Sequence, residues 1–170
     1  MNKRNSPLFF PLLIGLCILV ADFLIKSAVS RDIPLMGTQE FFYPYGGIPG
    51  FRNFLGIEFS IVYAFNTGAA WGIFSEYKDL LLVARVLLLG ALVAFAFFYN
   101  DNPQYRLPFA LIIAGALGNI VDYFLYGHVI DMFRFVFWGY DYPVFNLADA
   151  SIFIGIFWLV LFTSPQRDAE

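Results

Sequence analysis

Apolar residues gather into four long runs, at about 8–29, 80–99, 107–126 and 147–163, separated by stretches of quite different character. The first holds about 22 residues, enough to cross a hydrocarbon core of about 30 Å as a helix. Four such runs predict an α-helical membrane protein with four transmembrane helices. Lys3 and Arg4 before the first run favour a cytoplasmic N-terminus, and an even number of crossings returns the C-terminus to the same side. A cleaved signal peptide is the competing reading of this run. Leu16 is bulky where a small residue is needed, the run continues past Cys17, and further spans follow, so an uncleaved helix is expected.

Residues 31–79 are the only sizeable polar excursion, broken by Pro34, Gly37, Pro44, Gly46, Gly47, Pro49 and Gly50. Within it, Phe59, Ile61, Tyr63 and Phe65 alternate with the smaller Ser60, Val62 and Ala64, which is the period of a strand. Residues 51–57 are the expected partner, so about 31–79 should form a small extracytoplasmic β-sheet platform. Its rings, with Phe41, Phe42, Tyr43 and Tyr45, suit the membrane interface. Asn66-Thr67-Gly68-Ala69-Ala70-Trp71 follows as a turn, and Gly68 permits torsions other residues resist. Ser75 reads as the N-cap of the second helix, with Glu76 and Asp79 complementing its dipole. Ala114, Gly115, Gly118 and Asn119 give the third helix a stripe suited to close packing. Residues 127–146 read as a loop on the outer side. No internal repeat divides residues 1–170, which are read as a single domain.

Composition sharpens this. A hydrophobic fraction of 60%, only 14% charged residues and a mean hydropathy of +0.71 place the chain outside the soluble globular range. A net charge of -3 without a basic cluster argues against nucleic acid as a partner. The single cysteine, Cys17, excludes an internal disulfide, and one Cys with one His argues against a Cys/His metal site.

Where charge is scarce, its position is informative. Asp22 and Lys26 sit one turn apart, and their plainest reading is an ion pair at the interface with Lys26 snorkelling to the headgroups. Asn119 and Asp122 share a face of the third helix. The predicted topology puts Asp22, Asp122, Asp131 and Asp149 at one depth, the outer edge of the bilayer, although they come from three helices and a loop. Ionisable groups there are costly and point to function. Two carboxylates held close in a low dielectric share a proton and divide into an acid and a base, which can activate water and protonate an amide leaving group without metal or other cofactor. Against this stand three other readings. The acids could cap helices, pair with Arg85 or Arg134, or face water. A transporter would need polar groups at the midplane and towards the cytoplasm, and the inner halves of the four spans are nearly all apolar. An assembly factor would use the aromatic platform but leave the acids without a task. His128, three residues before Asp131, reads as a polar loop residue rather than a base.

The chain resembles the lipoprotein signal peptidase family, the type II signal peptidases of bacterial cytoplasmic membranes. The resemblance rests on four ordered blocks: Asp22 with Lys26, Asn66 to Trp71 (NTGAAW), Gly118 to Phe133 (GNIVD followed by GHVIDMF), and Phe145 to Ile152 (FNLADASI). It implies that Asp131 and Asp149 are the catalytic dyad and that Asp22, Lys26, Asn66, Gly68, Asn119, Asp122, Asn146 and Ala148 shape the site or bind substrate. It implies no metal and no cofactor. The implied substrates are diacylglyceryl-modified prolipoproteins, cut before the modified cysteine at the outer interface of the inner membrane. Membrane lipids, and lipopeptide inhibitors of the family, are the other implied partners. The sequence departs from the family pattern at Tyr123, where Arg usually follows the acid, and at Ile25, where a hydroxyl is common. Arg85 or Arg134 is the expected substitute cation. Which dyad member holds the proton stays open.

Overall fold

The computed structural model describes residues 8–38, 46–67 and 75–162. The helices are α1 (Phe9–Asp32), α2 (Lys78–Ala94), α3 (Arg106–Tyr126) and α4 (Leu147–Phe162). A π turn, Phe95–Tyr99, extends α2. The segments Phe9–Asp32, Lys78–Tyr99 and Pro103–Tyr126 are each long and apolar enough to cross a membrane; α4 is an apolar helix of 16 described residues.

Among the described residues, α3 is the central post, with α1, α2 and α4 packed against it. Small residues make the α3–α4 approach possible. A Cβ at Gly115 would strike the Ala148 carbonyl and come within 2.8 Å of Ile152, and one at Gly118 would lie 2.9 Å from Asp22 Oδ2. α3 ends where Gly127 takes a left-handed torsion of 75°, which glycine adopts without a steric penalty, and the chain turns at once into a strand.

That strand is a correction to the expected loop. Residues 127–146 contribute β3 (Val129–Phe137) and the short β4 (Tyr140–Asp141), which join β1 (Ile48–Phe54) and β2 (Ile57–Asn66) in an antiparallel sheet of order β1-β2-β3-β4. The expected alternation in β2 holds, and its small-residue side, Ser60 and Val62, is the buried one. Its aromatic side builds a strip of rings: Phe59 stacks on Phe135 at 4.7 Å and lies 5.7 Å from Phe51, and Phe135 stacks on Phe145 at 5.9 Å. Val29 of α1 and Ile33, just past its end, meet Ile130 and Met132 of β3 in a buried cluster, so the sheet is seated on the end of α1. Ser75 opens a 3-10 turn instead of capping α2, whose N-cap position is Tyr77 with no side-chain cap. Gly68 to Trp71, Phe41 to Tyr45 and the N-terminal cations lie outside the described residues.

Candidate active site

The site begins with a cation that has no access to water. Lys26 and Asp22 stand one turn apart on α1, and the Lys26 ammonium lies 2.6 Å from Asp22 Oδ2 and 2.7 Å from Asp122 Oδ2 of α3. It also donates to Asn119 Oδ1 at 3.1 Å. Three acceptors thus meet the three protons of an ammonium. Lys26 is 0% exposed, so the snorkelling reading is overturned: the side chain turns inward because two carboxylates offer more in a low dielectric than distant headgroups do.

Each of these two carboxylates also grips a backbone. Asp22 Oδ1 accepts from Ala148 N–H at 2.9 Å, and Asp122 Oδ2 accepts from Ile130 N–H at 3.2 Å. Ala148 and Ile130 immediately precede Asp149 and Asp131. One ion cluster therefore fixes the helix start and the strand start that carry the two remaining buried acids. The contribution of Ala148 is its amide and its small size, which lets α4 meet Gly118.

Asn146 joins those acids. At the start of α4, its Oδ1 accepts from Asp149 N–H at 2.8 Å, and Asp149 Oδ2 accepts from Asn146 N–H at 3.3 Å, a reciprocal cap that orients the Asp149 carboxylate. The Asn146 amide nitrogen lies 2.8 Å from Asp131 Oδ1, 3.1 Å from Asn119 Oδ1 and 3.2 Å from the Ile130 carbonyl. Asn119 Nδ2 donates to Asp149 Oδ1 at 2.7 Å. The side chain of Asn66, on β2, hydrogen-bonds Asp131. The structure thus brings together Asp22, Lys26, Asn66, Asn119, Asp122, Asp131, Asn146, Ala148 and Asp149, from α1, α3, α4, β2 and β3.

Asp131 is 4% exposed. Burial, reinforced by the charge of Asp149, pushes its carboxyl up to about 8 against the opposing pull of Asn66, Lys26 and Asn146. A carboxylic acid that keeps its proton at neutral pH beside a second carboxyl group is equipped to donate that proton.

Three other polar residues fall elsewhere. Arg134 pairs with Asp141 at 2.6 Å, across β3 and β4, while the cation on Asp122 is Lys26. Tyr123 donates to Asp79 at 2.5 Å, linking the end of α3 to the start of α2. The His128 ring rests on Phe65 at 4.8 Å; burial pushes its pKa down, and among the described residues it makes no hydrogen bond to either acid. Nothing in the sequence marks the two backbone amides, Ile130 and Ala148, because every residue except proline supplies an N–H.

The profile of the family described as Signal peptidase (SPase) II matches residues 14–164. A lipoprotein signal peptidase of Staphylococcus aureus is 33% identical over 165 residues, covering 92% of this chain and 95% of its own length. That of Chlamydia trachomatis serovar D is 35% identical over 162 residues, covering 94% and 92%. Two solved bacterial membrane enzymes superpose with TM-scores of 0.79 and 0.76 at 28% and 27% identity, covering 100% and 99% of this chain and 98% and 99% of theirs. With a profile that spans most of its length and relatives alike from end to end, this chain belongs to the signal peptidase II family of membrane aspartic peptidases.

Proposed function

We propose that this protein removes signal peptides from prolipoproteins, cutting before a diacylglyceryl-modified cysteine, with Asp131 and Asp149 as the catalytic pair. The observation that carries the reading is Asn146, whose side-chain amide donates to Asp131 and whose backbone N–H donates to Asp149, while Asn119 also donates to Asp149 and Asp22 and Asp122 fix the elements that bear the two acids. α4 is the fourth span, both termini are cytoplasmic, and the pair and its sheet face the outer side of the inner membrane. Such a substrate sets an apolar helix in the bilayer, its lipid at the cut and its polar chain outside, which suits an acid pair at the interface. Membrane lipids surround the site, and lipopeptides that mimic the lipidated cleavage segment would occupy it.

In the proposed reaction the ionised acid takes a proton from water as the water oxygen bonds to the scissile carbonyl carbon, and the protonated acid gives its proton to the carbonyl oxygen. As the tetrahedral species collapses, the C–N bond breaks. The nitrogen takes the proton held by the first acid, and the second recovers one from the diol. Both acids end as they began.

The test is cleavage of a purified prolipoprotein with and without its diacylglyceryl group. The intact enzyme should cut only the lipidated form, and Asp131→Asn or Asp149→Asn should each lower the rate about a thousandfold or more. Normal rates in both variants would refute the assignment.

A further inference from the structure

We infer that Lys26 is a further positioning residue of this reaction: acting through Asn119, its ammonium places the negative charge of the acid pair on Asp149 and leaves the shared proton on Asp131. The inference rests on Asp131 and Asp149 being the reacting pair.

The asymmetry is in the hydrogen bonds. Lys26 donates to Asn119 Oδ1, which polarises that amide and strengthens its Nδ2 as a donor, and Nδ2 donates to Asp149 Oδ1 at 2.7 Å. A second N–H, from the Asn146 backbone, also reaches Asp149, and Asp131 likewise has two donors, Asn146 and Asn66, so the difference lies in the cation behind Asn119 and not in the number of bonds. One amide therefore separates the ammonium from Asp149. Asp131 stands one amide further away, reached through Asn146, whose Nδ2 divides itself among Asp131, Asn119 and the Ile130 carbonyl. Hydrogen bonds to a charged carboxylate favour that form, and they favour it more when a cation lies behind the donor. With Lys26 wholly buried, its field is little screened.

The charged and titratable groups around Asp149 come from every element packed there: Asp22 and Lys26 from α1, Asp122 from α3 and Asp131 from β3. β2 supplies the uncharged Asn66, which hydrogen-bonds Asp131. Asp22 and Asp122 partly neutralise the ammonium, so removing the cation and removing one of its counterions should move the pair in opposite directions. A Lys26 that only holds helices together would move neither limb of the pH profile.

The pH dependence of kcat/KM on a lipidated prolipoprotein tests this. In Lys26→Met the acidic limb, which reports ionisation of the pair, should rise by about one pH unit; in Asp22→Asn, which unmasks the ammonium, it should fall. Activity reduced evenly at all pH values, with the limb unmoved, would overturn the inference. Should Lys26→Met fail to fold, Asp22→Asn decides alone, since an unmoved or raised limb contradicts the inference. Full activity in both Asp131→Asn and Asp149→Asn would instead bring down the pair itself.

Discussion

α1 and α2 are both apolar helices long enough to cross a membrane, yet they are held in unlike ways. α1 buries Gly15, Asp22, Lys26 and Val29 and enters a polar cluster tied to α3 and α4. α2 buries none of its residues between 78 and 94, and Tyr123 bonds to Asp79 in its first turn. Where no water competes, a few directional contacts fix position far more firmly than apolar surface, because lipid tails solvate Leu as well as a neighbouring helix does. α1 and α3 therefore act as a fixed frame for the reacting groups, and α2 as a wall facing lipid.

The largest effect of breaking that frame should come from Lys26→Met, which leaves the Asp22 and Asp122 carboxylates buried without their cation. A loss of about 3–5 kcal/mol is expected in denaturant unfolding of the purified protein. A smaller loss should follow Gly115→Leu, where a side chain must push Ala148 away from α3; overpacking of this kind costs about 1–3 kcal/mol and should lower activity by displacing Asp149. On the wall, Leu88 is 71% exposed, and Leu88→Ala should change stability by no more than about 0.5 kcal/mol. The contrast fails if Leu88→Ala costs as much as Gly115→Leu in the same unfolding assay.

Much of this is legible in the sequence. The apolar runs place the four helices to within a few residues, since an uninterrupted run of that length has few other readings. Counting crossings puts the acids at one depth, and in the structure Asp131 and Asp149 both hydrogen-bond Asn146. β3 was hidden because its alternation is spoiled on both faces: Arg134 falls on the side of Ile130 and Met132, and Asp131 on the side of Phe133 and Phe135. β4, with two residues, has no periodicity to find. The i, i+4 spacing exposed Asp22 and Lys26 as a pair, but the partner that changes its meaning, Asp122, lies on another helix, and spacing along one helix cannot show it. The link between Tyr123 and Asp79 joins residues on different elements and was invisible for the same reason.

The buried proton also leaves a mark on stability. The Asp131 carboxyl titrates at about 8 in the folded protein and near 4 in an unfolded chain. Between those values the folded state holds a proton that the unfolded state has lost. Stability from this group is therefore complete below about pH 4 and declines as pH rises through about 8.

The most direct measurement is the titration of the Asp131 carboxyl by carbon NMR in the full-length protein, with and without Asp149→Asn. A midpoint near 8 that drops when Asp149 loses its charge is the predicted result, since two acids facing one another must feel each other's ionisation. A midpoint near 4, unmoved by the substitution, would mean that the two side chains do not form a pair.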